Sequence, residues 1–221
     1  MNSTRNWKGC GLLCNYLRAD PNNKWFWELR LKHVCASTEI EMTSWLKHKP
    51  MCSDFPRAFL AKYQNFAFGQ RGRVWDAPVG GVWLSAAIPF ANRNSASILR
   101  LALAVALAEQ LEIEGIKVQI KWPNDLMVNK KKIAGILTKL IYRGDTIRFA
   151  RIGLGLNVYN KTPKEGISLK DICIPTSHKI DFWAARSIVS IERAVEICSD
   201  NHWLLNQVKK RLCKEQIINP E

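Results

Sequence analysis

Lys121 to Leu140, KWPNDLMVNKKKIAGILTKL, restricts the fold more than any other stretch of the chain. It reads as short strands joined by tight corners. Val118 to Lys121 is extended and Trp122-Pro123 makes a bend. Asn124 to Val128 is extended again, Asn129-Lys130-Lys131 turns, and Ile133 to Ile141 returns as an apolar strand. Proline removes a ladder donor and fixes φ, so the chain has to bend at Pro123. The bend groups Lys121, Asn124 and Asp125, with Lys132 arriving from across the hairpin. Cations, an amide and a carboxylate on one corner match the needs of a nucleotide-phosphate site.

The flanking segments supply more strands and helices. Phe26 to Cys35 alternates as a strand, and Ser37-Thr38 precede a helix over Glu39 to Leu46 with Glu41 placed for a capping interaction. Ser37 and Thr38 are read at this point either as simple caps or as ligand contacts. Ala58 to Tyr63 and Val82 to Ile88 read as strands. Between them, Gln64 to Trp75 interleaves glycines and arginines up to a tryptophan. Such a loop either wraps an anion and offers a ring to a flat group, or is ordinary surface. Asn94 or Ser95 caps a helix over Ala96 to Glu114 that is apolar on most faces and stops at Gly115. Ile152 to Val158 is a strand with Gly153 and Gly155 on one bare face, which lets a ligand or backbone approach. It lacks the third glycine and following helix of a dinucleotide fingerprint. Two helices, from Asp181 or Phe182 to Ser199 and from His202 to Glu215, carry apolar residues at helical spacing. Lys209-Lys210-Arg211 fits a solvated face better than a nucleic-acid patch.

A chain of 221 residues, 47% of them apolar, can build a substantial core. No linker or repeat divides it, so the expectation is one domain over residues 1–221. That domain is α+β, with a central mixed β-sheet and flanking helices, and residues 1–23 form a lead-in. Lys and Arg number 33 against 19 Asp and Glu, a formal charge of +14. That surplus fits a polyanionic partner or plain solubility, and its wide spread favours neither. The seven cysteines have no C-x-x-C spacing and fit free thiols in a reducing cytosol. With no signal peptide and no apolar run long enough to span a bilayer, the sequence predicts a soluble cytoplasmic protein without a membrane partner.

Three blocks carry a family resemblance: Lys121 to Asp125 (KWPND), Lys132 to Leu137 (KIAGIL), and Ile152 to Val158 (IGLGLNV). With Tyr63-Gln64, Gly69 to Trp75 and Gly80 to Ser85 upstream in the same order, they resemble the catalytic domain of biotin protein ligases. The resemblance covers roughly Leu29 to the C-terminus. It implies a fold like class II aminoacyl-tRNA synthetases and lipoate ligases. It implies that biotin and ATP form biotinyl-5′-AMP, and that biotin is then passed to a lysine of the biotin carboxyl carrier protein of acetyl-CoA carboxylase. By resemblance, Lys132, Asp125, Lys121 and Arg73 are catalytic, with Lys132 bridging the biotin carboxylate and the α-phosphate. Ser37, Thr38, Gln64, Gly69, Lys132 and Gly135 bind biotin. Arg71, Arg73, Trp75, Asn124 and Asn157 hold the nucleotide, Trp75 against the adenine and Asn157 at its edge. Mg²⁺ arrives with ATP as substrate and meets Asp125; no tightly bound metal is expected.

The chain departs from the family pattern at Phe68 and Gln70, where arginines are common, and at Glu39, where asparagine is usual. No N-terminal DNA-binding domain and no C-terminal barrel are evident, so DNA is not an expected partner. A homodimer is compatible with the resemblance. Two other readings stand beside the first: a lipoate or octanoate ligase, and a non-enzymatic basic nucleic-acid-binding module.

Overall fold

The computed structural model describes residues 10–51, 55–90, 98–172 and 179–213. Its frame is a seven-stranded mixed sheet in the order β1-β2-β3-β7-β6-β5-β4. β1 (Glu28–Cys35) and β2 (Arg57–Gln64) are parallel, and α2 (Thr38–His48) makes the crossover that a parallel pair requires. The remaining neighbours are antiparallel: β3 (Val82–Pro89), β4 (Gln119–Lys121), β5 (Asp125–Val128), β6 (Lys131–Arg143) and β7 (Thr146–Leu156). The helices are α1 (Cys10–Ala19), α3 (Leu99–Ile113), α4 (Ile180–Ile197) and α5 (Asn201–Arg211), besides α2. The mixed sheet with flanking helices agrees with the sequence expectation.

Strand periodicity sorts the two faces of the sheet. Leu84, Ala86 and Ile88 of β3, Ala134 and Ile136 of β6, and Ile152, Leu154 and Leu156 of β7 join one core with α1, α3 and α4. α3 is buried on nearly all sides, which is why its sequence shows so little polar face. The opposite face carries the odd-numbered neighbours. There Phe59 and Ala87 pack with Met42 and Trp45 of α2. α2 covers only part of that face, and Trp83, Ser85, Gly153 and Gly155 lie beyond it in the lining of a pocket.

Two local readings change in detail. Glu41 does not cap α2; both of its carboxylate oxygens lie 2.8 Å from Lys32 Nζ on β1, a stronger attraction than a terminal amide. The proposed caps Asn94 and Ser95 lie outside the described residues. Cys35 is buried and its thiol is pushed up to about 11, chiefly by desolvation, so it stays protonated at neutral pH. Among the described residues no helix is long and apolar enough to cross a membrane.

The turn into β3 depends on backbone shape. Gly80 sits at φ 111°, and a Cβ there would lie 2.8 Å from Asn160 N and 3.0 Å from Tyr159 C. Its carbonyl accepts the Tyr159 N–H at 2.7 Å. Gly80→Ala is therefore expected to cost about 2–4 kcal/mol, read as a lower urea midpoint at unchanged slope. A midpoint within error of wild type would show that the turn relaxes freely.

Candidate active site

The pocket lies where α2 leaves the sheet uncovered. Its lining includes Ser37, Thr38, Glu39, Gln64, Gly69, Arg73, Trp75, Ser85, Asn124, Asp125, Lys132, Gly135, Gly153 and Gly155, around about 220 Å³ of open space. Ten of the residues expected from sequence thus meet in one cavity, although Ser37 and Lys132 lie far apart in the chain.

One end is built by the start of α2. Ser37 is the N-cap, its Oγ accepting the Glu39 N–H at 3.2 Å. Thr38 N donates to Gln64 Oε1 at 2.7 Å, and Ser85 Oγ donates to Thr38 Oγ1 at 2.9 Å. Capping and pocket lining are therefore not alternatives for Ser37: the cap holds the residue in the wall. Ser85 was not singled out by the sequence, because one serine in an apolar strand has no distinguishing signal.

The other end is built by the β5–β6 hairpin. Asp125 pairs with Gly135, Leu126 with Ala134, and Met127 with Lys132, so Ile133 is an extra residue on β6. This β-bulge reverses the alternation. Without it, Lys132 would share the core face with Ala134 and Ile136. With it, Ile133 is fully buried and the Lys132 chain lies over Gly135, where an added Cβ would come within 3.0 Å of Lys132 Cε. Lys132 Nζ contacts Asp125 Oδ1 at 2.7 Å, an ion contact outside hydrogen-bond alignment. Asn124 is strapped to β6, its Nδ2 donating to Ile136 O at 2.9 Å.

The floor is glycine. Gly135 and Gly155 face each other across β6 and β7, and the Trp75 indole rests on both. A Cβ on Gly155 would lie 2.8 Å from Trp75 ring atoms. Lys132 Nζ sits 4.9 Å from the centroid of the same ring, within cation–π range. The Trp75 ring thus lies on the floor beside Lys132. The loop that carries it folds back on itself, with Phe68 bridged to Val74 and Gly69 N donating to Arg73 O at 2.7 Å.

Three expected residues are not in the lining. Lys121 is exposed on β4, paired in register with Asp125. Arg71 is exposed at the loop tip at φ 55°. Asn157 is buried behind Lys132: its Nδ2 donates to Lys132 O at 3.3 Å, and its Oδ1 accepts from Asn160 Nδ2 at 3.0 Å. That amide is committed to holding the Lys132 backbone. In contrast, three buried polar atoms in the lining have no hydrogen-bond partner among the described residues, Glu39 Oε1, Gln70 Nε2 and Trp75 Nε1, and Asp125 Oδ1 has only its ion contact with Lys132. Unsatisfied groups gathered in one cavity are what a polar ligand would satisfy.

Residues 53–157 of the chain match the Biotin/lipoate A/B protein ligase family. More particularly, its fold is that of the catalytic domain of biotin protein ligases. A biotin protein ligase from Leishmania major, solved with biotinyl-5-AMP, superposes with a TM-score of 0.69 at 21% identity, over 89% of this chain and 83% of that one. Biotin acetyl coenzyme A carboxylase synthetase from Helicobacter pylori, solved with bound biotinylated ATP, gives 0.57 at 25% identity over 76% and 75%. The bifunctional ligase/repressor BirA of Bacillus spizizenii is 33% identical over 155 residues, 68% of this chain and 48% of that protein. The biotin–[acetyl-CoA-carboxylase] ligase of Paracoccus denitrificans is 32% identical over 103 residues, 45% of this chain and 43% of that protein. The chain spans about half the length of the curated relatives it matches, or less.

Proposed function

We propose that the chain is an ATP-dependent biotin protein ligase. Biotin's carboxylate oxygen attacks the α-phosphorus of ATP, forming the P–O bond of biotinyl-5′-AMP as the bond to pyrophosphate breaks. The ε-amine of a carrier lysine then attacks the acyl carbon and releases AMP. The carrier is a biotin carboxyl carrier protein.

The observation that carries this reading is the position of Lys132. Its ammonium stands over a glycine floor at one end of a pocket whose other end is lined by Ser37, Thr38 and Gln64. A carboxylate and a triphosphate repel each other, and a fixed cation between them offsets the charge that develops as they join. The ion contact with Asp125 holds the ammonium in place until the anions arrive. Arg73 in the wall takes a phosphate oxygen, and Asp125 meets a Mg²⁺ ion carried in on ATP. Trp75 floors the pocket with one face of its ring, and Asn157 holds the Lys132 backbone. The names of the relatives agree with this chemistry, and biotin-dependent pyrophosphate exchange tests it. Exchange driven by lipoate and not by biotin would overturn the reading.

The loop around Gln70 bears on product retention. Gln70 and half-exposed Phe68 give this wall fewer cations than an anhydride phosphate can use. Gln70→Arg is expected to slow release of biotinyl-AMP by about tenfold, the effect of one charge-assisted hydrogen bond. Stopped-flow chase with excess biotin reads the rate; an unchanged off-rate would take Gln70 out of adenylate retention.

A further inference from the structure

Glu39 is the acidic residue at the head of the pocket, opposite Lys132. Its carboxylate is used unevenly. Oε2 is 2.8 Å from Arg151 Nη2, which also donates to Glu39 O at 2.7 Å. Arg151 Nη1 donates to Thr43 Oγ1 at 2.7 Å, which fixes the guanidinium from a second side. The side chains are only 15% and 10% exposed for Glu39 and Arg151. Oε1, in contrast, is shielded from solvent and has no hydrogen-bond partner among the described residues. It lies over the bare face of Gly153, 3.4 Å from where a Cβ would stand, and both residues line the pocket. A carboxylate held this firmly, with one oxygen left unpaired in a cavity, lacks a donor.

The neighbouring oxygens each hold a partner already: Gln64 Oε1 receives the Thr38 N–H, and Thr38 Oγ1 receives the Ser85 hydroxyl. A ligand that brings an N–H to this end finds at Glu39 an acceptor that is charged and wholly unpaired among the described residues, and so the strongest one there. We propose that Glu39 Oε1 is a specificity-determining acceptor for one ring N–H of the acid substrate, selecting a cyclic urea over acids whose head group has no donor. This rests on the proposed activation of biotin, whose urea carries two such N–H groups and whose carboxylate then faces Lys132. A dithiolane or an alkyl chain at the same place leaves Oε1 unsatisfied in a closed site, and that penalty is the source of the selectivity. Arg151 is a positioning residue: it fixes the carboxylate without touching the ligand.

The test is a cycle between protein and ligand. Calorimetry of the full chain compares biotin with its two mono-N-methylated ureas. In the wild type, methylation of the nitrogen that faces Glu39 is expected to weaken binding about tenfold or more. In the charge-free variant Glu39→Leu with Arg151→Leu, biotin is expected to fall to the level of that methylated analogue, with no further loss on methylation. Replacing a buried ion pair by apolar residues is commonly neutral for stability, and Glu39→Gln gives a second readout should the double variant fail to fold. An unchanged methylation penalty in the folded variant would overturn the proposal while leaving biotin activation standing. No biotin binding in the wild type would overturn both.

Discussion

Lys132→Ala is expected to lower biotin-dependent pyrophosphate exchange by about 10²–10³-fold, the scale of losing one fixed charge donor in a transition state. Its ammonium is held between Asp125, at 2.7 Å, and the Trp75 ring, with its centroid at 4.9 Å, and it faces the pocket. Removing it leaves the two anions of the first step without a bridge and leaves Asp125 as a bare negative charge beside them. The melting temperature should stay close to that of wild type, because Ile133 and Ala134 carry the packing at this point of β6 and the Lys132 side chain is 30% exposed. Lys132→Ala combined with Asp125→Asn separates the two effects. If the added acidic repulsion matters, the double variant regains part of the rate. Wild-type exchange in Lys132→Ala would remove this residue from the mechanism.

Filling the floor at Gly155 should be as damaging by a different route. A Cβ there lies 2.8–2.9 Å from three atoms of the Trp75 indole. In Gly155→Val the ring has to move up into the cavity, and the KM for biotin is expected to rise by about a hundredfold or more. Stability should fall by about 1–3 kcal/mol from the displaced ring, partly offset by the strand preference of a β-branched residue. Gly153→Val separates filling the pocket from moving the ring. A Cβ there meets Glu39 Oε1 and Leu137 Cβ at 3.4 Å and no Trp75 atom that near, so it should weaken biotin without shifting the Trp75 fluorescence, which Gly155→Val should shift. Equal fluorescence shifts at the two glycines would show that the floor is not what Trp75 rests on.

Much of the fold was legible because it depends on local rules. Alternation marked β1, short apolar runs marked β2 and β3, and the unbroken apolar run of α3 marked a buried helix. The corner at Trp122-Pro123 and the turn at Asn129-Lys130 stand where proline and turn residues put them. The sequence was less informative about which side chains finally share the cavity. Ser85 looked like any residue of a core strand. Asn157 looked available for a ligand, yet its amide is consumed by Lys132 O and Asn160. Arg71 and Arg73 are two residues apart in one loop, but the fold-back at Gly69 keeps Arg73 in the wall and turns Arg71 out.

The sequence by itself determined the chemistry available at this site. Lys132, Asp125, Gln64 and the bare glycines are fixed by identity, and their short-range setting follows from proline, glycine and strand alternation. Only the tertiary structure decided where that chemistry points. Side-chain direction on a strand has a period of two, so one extra residue, Ile133, turns Lys132 from the core face to the pocket. The bulge exists only because β5 and β6 pair in that register, and no local signal in Lys131 to Gly135 announces it. The same holds for Glu39 and Arg151, which are 112 residues apart and meet only because α2 crosses the face of the sheet that carries β7.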